Sequence, residues 1–206
     1  GTWSALEVIP APKQGMKRKG EINMLPIGPL MIEHRLIEKM INLMKGQLDH
    51  IQTGKPVSSP LIETITDFIR AYADRCHHGK EEDILFRELA KKTISSEHRR
   101  IIEQLLEEHT KGRKLTKTLV EANQKYKQGD QKALPVITDC LHALVTFYPK
   151  HIETEDKHFF LPIMAYFTKE EKDSMLAEGY EFDSNLLHEE YQKIVKETER
   201  ALPPKR

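Results

Sequence analysis

Histidines and glutamates stand in line with leucines and isoleucines along four separate helical stretches of this 206-residue chain, and few features constrain a fold more. The first stretch runs Leu30, His34, Ile37, Ile41, Met44, Leu48 and Ile51, at spacings of four and three. That spacing describes one face of an α-helix beginning near Pro26, with Pro29 in its first turn, where its missing N–H is not needed. The second, from about Pro60 to Lys92, reads Ile62, Ile65, Ile69, Ala73, His77, Glu81 and Ile84. The third, capped by Ser95 or Ser96, reads Ile102, Leu105, His109, Gly112, Thr116 and Leu119. The fourth begins near Pro135 and reads Ile137, Leu141, Leu144, Tyr148, His151, Glu155 and His158. Ionisable groups on apolar faces are costly to bury unless they are paired or bound to metal. One such histidine is ordinary, whereas four helices repeating the pattern point to one shared polar layer inside a core.

Short breaks separate these helices: Gly54 to Pro60, the region of Ser95, and Gly129-Asp130. Four helices so joined pack as an up-down-up-down four-helix bundle, an all-α fold. Pro149 is expected to kink the fourth helix or mark an irregularity in it, and Pro162 to weaken its end. Thr168 with Glu171 forms a capping-box pattern, and residues 184–200 carry Leu187, Tyr191, Ile194 and Thr198 at helical spacing, which predicts an extra C-terminal helix laid across the bundle. Residues 1–25, with a basic cluster at Lys17 to Lys19, read as an N-terminal arm. The bundle is assigned to 26–166 and the helical extension to 167–206.

Charge excludes several partners. Lys plus Arg equals Asp plus Glu at 32 each, so no basic footprint argues for nucleic acid or an anionic membrane. No apolar run approaches the roughly 20 residues of a membrane span. With no secretory signal visible and only two cysteines, Cys76 and Cys140, read as unpaired thiols, a cytoplasmic location is expected.

His77 and Glu81 are spaced i, i+4, as are His151 and Glu155, so each pair points one way. Imidazoles with bridging carboxylates are the donor set of two non-haem irons held close together. Counting residues along the helices puts the helix-two, -three and -four groups at similar depth and His34 about 10 Å nearer the bundle end.

The segments IEHRLIEKM, CHHGKEEDILF, EEHTKGRKL and HIETEDKHFFLPI resemble the hemerythrin, or HHE cation-binding, family over roughly residues 26–166. The resemblance implies metal ligands at His34, His77, Glu81, His109 and His151, with Glu155 or Asp156 completing helix four. It also implies two non-haem Fe ions, with Mn or Zn able to take their place, and a small diatomic or peroxide ligand: O₂, NO or peroxide bound by a sensor, carrier or scavenger. The alternative is iron storage or delivery, or iron-centre repair, with the same ligands; a monomer or a homodimer fits either. Oxygen-carrying members have two helix-three histidines spaced i, i+4, but Leu105 and Arg113 flank His109 here. That leaves a site with fewer histidines, or one completed by His78, by water or by the C-terminal extension, where His188 and Tyr191 are candidates. Rotated about 100° from His77 on an α-helix, His78 is expected behind the ligands or at the surface. The extension is expected to cover the metal-bearing end.

Overall fold

The structure, a computed structural model, describes residues 24–201, apart from the side chains of residues 190, 191 and 193–201. The N-terminal arm expected over 1–25 therefore lies almost wholly outside the described residues, as does the side chain of Tyr191. Five helical rods make up the rest, and no strand occurs among the described residues. Rod α1 is Ile27–Gln52. Rod α2 covers 59–89 and changes character along its length: Ser59–Phe68 is α-helical, while Ile69–His78 and Glu81–Phe86 are π-helical. Rod α3 is Ser96–Lys127. Rod α4 covers 133–166, α-helical over Ala133–Thr154, π-helical over Glu155–Phe159 and ending in a 3₁₀ turn at Met164–Tyr166. Rod α5 is Lys169–Ala201.

The ends follow from local chemistry. Gly54 (φ 79°) and Gly129 (φ 95°) take the left-handed conformation that closes α1 and α3 at no Cβ cost. The Ser95 hydroxyl accepts the His98 N–H at 3.1 Å and caps α3. At α5 the Thr168 N–H donates to the Glu171 carboxylate at 2.9 Å and the Glu171 N–H donates to the Thr168 hydroxyl at 3.2 Å, a reciprocal capping box. Pro149 lies within α-helical geometry, and the irregular turn comes only at Glu155.

Rods α1 to α4 pack in a ring, α1 on α2 and α4, and α3 on α2 and α4, the antiparallel bundle that short connections require. The apolar residues expected on each face are buried, except Ile102, which is half-buried. His158 is exposed, and Phe159 takes the inward position that periodicity assigned to it. The π-turn explains the change: it closes its hydrogen bonds i to i+5, so each residue turns through a smaller angle than in an α-helix.

Two apolar clusters divide the interior. One fills the long half of the bundle around Ile41, Ile65, Leu119 and Leu141. The other fills the end where α1 begins, around Leu89, Leu105, Phe159 and Ile163. Rods α2 to α4 project past the start of α1 there, and Met175 of α5 enters this second cluster. The expected 10 Å offset of His34 disappears for that reason: the rods are not flush. The fifth helix begins at Lys169, not at 184, and runs against the π-helical part of α2. Among its described side chains Met175, Phe182 and Asp183 pack against the bundle, whereas Leu187 and His188 are exposed, so His188 itself does not cover the end of the bundle.

Candidate metal centre

Between the two apolar clusters lies a layer of buried His and Glu side chains. His34 comes from α1, His77, His78 and Glu81 from α2, His109 from α3, and His151 and Glu155 from α4. Every one of the seven is at most 2% exposed. They form two overlapping groups, His34–His77–Glu81–Glu155 and His78–Glu81–His109–His151, in each of which one donor atom per residue lies within 4.8 Å of all the others. Glu81 belongs to both. Its two oxygens face His77 Nε2 at 3.5 Å and His109 Nε2 at 3.3 Å. Glu155 likewise faces His34 Nε2 at 3.2 Å and His151 Nε2 at 3.3 Å. Both carboxylates thus span the two groups.

Behind each imidazole stands a carboxylate. Nδ1 of His34 meets Asp156 at 2.7 Å, that of His77 meets Glu33 at 2.9 Å, and that of His78 meets Asp74 at 3.4 Å. Nδ1 of His109 meets Glu82 at 2.7 Å and that of His151 meets Glu108 at 2.7 Å. A carboxylate at Nδ1 keeps the proton on that nitrogen and leaves the Nε2 lone pair facing inward. The carboxylates are themselves held: Asp156 by Arg35, Glu33 by Lys80, Asp74 and Glu82 by Arg113, and Glu108 by Gln104.

The interior is left short of partners. Both oxygens of Glu81, both of Glu155, and Nε2 of His109 and His151 are buried with no hydrogen bond. His34 Nε2 and His77 Nε2 face one another at 2.9 Å although each ring already presents Nδ1 to a carboxylate. Convergent lone pairs and anionic oxygens in a dry layer are costly unless a cation lies between them, so the residues fit one metal ion per group. Without metal, protons take that place. Burial opposes charge on His34, but Asp156 and Glu155 outweigh it and push its pKa up to about 10. His109, held between Glu81 and Glu82 against the same burial penalty, is pushed up to about 9. Burial wins at His78, whose pKa falls to about 3. Burial also favours neutral Glu81, yet His77, His109 and His78 hold it well below its usual range.

His78 is the residue that α-helical reasoning displaced. The π-helical geometry of Ile69–His78 brings it to the same layer as its neighbour His77, and its ring stacks on His109 with centroids 3.9 Å apart. Arg113, one turn after His109 on α3, holds Asp74 through Nε at 2.8 Å and Glu82 through Nη2 at 2.7 Å. Asp156 stands behind His34, with Glu155 on the inner side. His188 is exposed, bonds Gln192 at 2.8 Å and is not among the residues brought together. The only advance signal for His78 was the doublet itself.

Aromatic rings wall the layer: Phe160 stacks on His34, Phe86 on His109, and Phe147 lies against His151. A cleft of about 410 Å³ approaches it between α2 and α3; its lining includes Arg70 and Lys117 and, further in, the buried His78, Gly112 and Tyr148. A Cβ on Gly112 would meet Phe147 at 3.5 Å and the Tyr148 hydroxyl at 3.7 Å, ordinary contact distances, so α3 lies close against both side chains there. Among the described residues no helix is long and apolar enough to cross a membrane. The family model described as "Hemerythrin HHE cation binding domain" matches residues 25–161. No curated protein and no solved structure matches the chain.

Proposed function

Since this chain belongs to the hemerythrin HHE cation-binding family, whose match covers more than half its length, we propose that it is a non-haem di-iron protein that binds O₂, NO or peroxide as a sensor, carrier or scavenger. The observation that carries this reading is the pair of His/Glu groups sharing Glu81. His34 and His77 would hold one iron and His78, His109 and His151 the other, with the carboxylates of Glu81 and Glu155 facing both positions. Two ferrous ions held there would have two electrons available to a dioxygen-level ligand.

The chain's own residues do the rest. The five outer carboxylates fix the ring orientations and keep each inward nitrogen free of a proton once metal is present. Phe86, Phe147 and Phe160 exclude bulk water, which strengthens every charge interaction in the layer. The cleft admits a small ligand toward His78. Tyr148 lines that cleft one turn before His151, and burial pushes its pKa up, so its hydroxyl keeps a proton to donate to a ligand entering there.

Anaerobic loading with ferrous iron, followed by elemental analysis and optical spectra before and after air, NO or peroxide, tests the proposal. About two irons per chain and a ligand-dependent spectrum are expected. A chain that retains no transition metal refutes the metal centre. Two irons with no response to any of the three ligands would instead favour storage, delivery or repair of iron.

A further inference from the structure

Four of the five imidazole supports end on the bundle's own helices. The fifth leaves it. His77 Nδ1 donates to Glu33, Lys80 Nζ donates to the other oxygen of Glu33, and the same ammonium donates to Asp183 of α5 at 2.9 Å. Cys76 Sγ also donates to Asp183, at 3.3 Å. Lys80 differs from the other supporting cations. It is 4% exposed, whereas the side chains of Arg35 and Arg113 are 53% and 41% exposed. Glu33, Cys76 and Asp183 themselves lie close enough to hold a cation, and the Lys80 ammonium bonds two of the three. Burial opposes its charge, but Asp183 and Glu33 outweigh it and raise its pKa, so it remains an ammonium.

A buried cation bound by two carboxylates cannot lose one without redistributing toward the other. If Asp183 withdraws, Lys80 is left to Glu33 alone and competes with His77 for it. Glu33 is what orients the His77 ring and keeps its proton on Nδ1. The docking of α5 on α2 brings Asp183 to this place, helped by Phe182, which packs over Gly79 so closely that a Cβ there would lie 2.8 Å from its ring. Residue 183 lies outside the 25–161 family match, so the family model says nothing of this support.

We propose that Lys80 and Asp183 are positioning residues for the metal centre, and that through them the docking of α5 is coupled to occupancy of the His34/His77 position. The proposal rests on the reading of that group as a metal position. Coupling of this kind is reciprocal: metal at His77 holds α5 down, and a docked α5 slows loss of that metal. Substituting residues that orient a ligand typically costs about 10–100-fold in metal affinity.

The test uses the full chain loaded with ferrous iron and compares wild type, Asp183→Asn, Asp183→Glu and Lys80→Met. Two readouts are followed: release of each iron to a colorimetric chelator, and hydrogen exchange of the α5 amides with and without iron. In wild type, iron should slow exchange in α5. In Asp183→Asn and Lys80→Met one iron should leave about tenfold faster while the other keeps its rate, and α5 exchange should no longer respond to iron. Asp183→Glu should restore much of both. Wild-type release of both irons from Asp183→Asn, or α5 exchange in wild type that ignores iron, overturns the coupling. A wild-type chain that holds no iron overturns the metal reading itself, and the coupling with it.

Discussion

At the scale of single residues, a support and an imidazole come from positions that a fixed helical period does not single out. Arg113 is the strut for Asp74 and Glu82. His78 brings a further imidazole into the layer from α2, a buried ring kept neutral. The proposed ligands then differ in what they should cost. Glu81→Ala and Glu155→Ala each remove a carboxylate facing both groups and should abolish binding of both metals. His34→Ala and His78→Ala should each leave about one metal per chain, from opposite positions. Elemental analysis of the four variants after identical loading decides it, and two metals retained by Glu81→Ala would show the bridging assignment to be wrong. Arg113→Ala touches no metal position. It should weaken metal retention about tenfold through His78 and His109, measured by competition with a chelator.

At the scale of elements, the irregular turns sit at the site. The π-helical segments of α2 and α4 carry His77, His78, Glu81 and Glu155, while His34, His109 and His151 stand on regular α-helical turns. Wide turns of this kind recur at functional positions because they re-aim side chains without breaking the rod. Rod α5 depends on its start as much as on its packing. Thr168→Ala removes one of the two reciprocal cap bonds and should destabilise the docked helix by about 1 kcal/mol. Hydrogen exchange over the first turns of α5 should rise accordingly with the bundle amides unchanged; equal protection in the variant would mean that packing around Met175 alone holds the helix.

At the scale of the whole molecule, a polar layer between two apolar clusters makes stability depend on what fills the layer. In the metal-free chain His34 and His109 have folded pKa values of about 10 and about 9, above the unfolded value of 6.5. The fold therefore binds more protons than the unfolded chain between pH 6.5 and 10, and the stability they add is complete below 6.5 and lost as pH rises through 9 to 10. His78 acts oppositely: with a folded pKa of about 3, it costs stability as pH falls from 6.5 toward 3. The lowered Glu81 adds stability above its usual range of about 4.5 that acid removes. Metal-free protein should thus be most stable near pH 6.5, and denaturant midpoints at pH 5, 6.5 and 9 should show a maximum at the middle value. Metal binds the deprotonated nitrogens, so the gap between loaded and metal-free midpoints should widen from pH 6.5 to 9. A metal-free midpoint that is flat or rising over that range would contradict the protonated layer.

Periodicity along the chain determined the four bundle helices, the serine cap of α3 and the buried faces, because burial and helical geometry act over a few residues and leave a local trace. It also placed His34, His77, Glu81, His109, His151 and Glu155 on those faces, since an ionisable group in an apolar stripe is visible without any neighbour. What tertiary structure decided was angular and long-range. The π-turns that turn His78 inward and His158 outward come from a small change in rotation per residue, which a fixed α-helical period cannot express. The depth of His34 depends on rods whose ends are not level. The five outer carboxylates come mostly from other helices or from the polar flank of the same one, where a charged residue looks like any solvated one. Asp183 reaches Lys80 across 103 positions of chain. No spacing rule joins residues so far apart; the docking of α5 on α2 does.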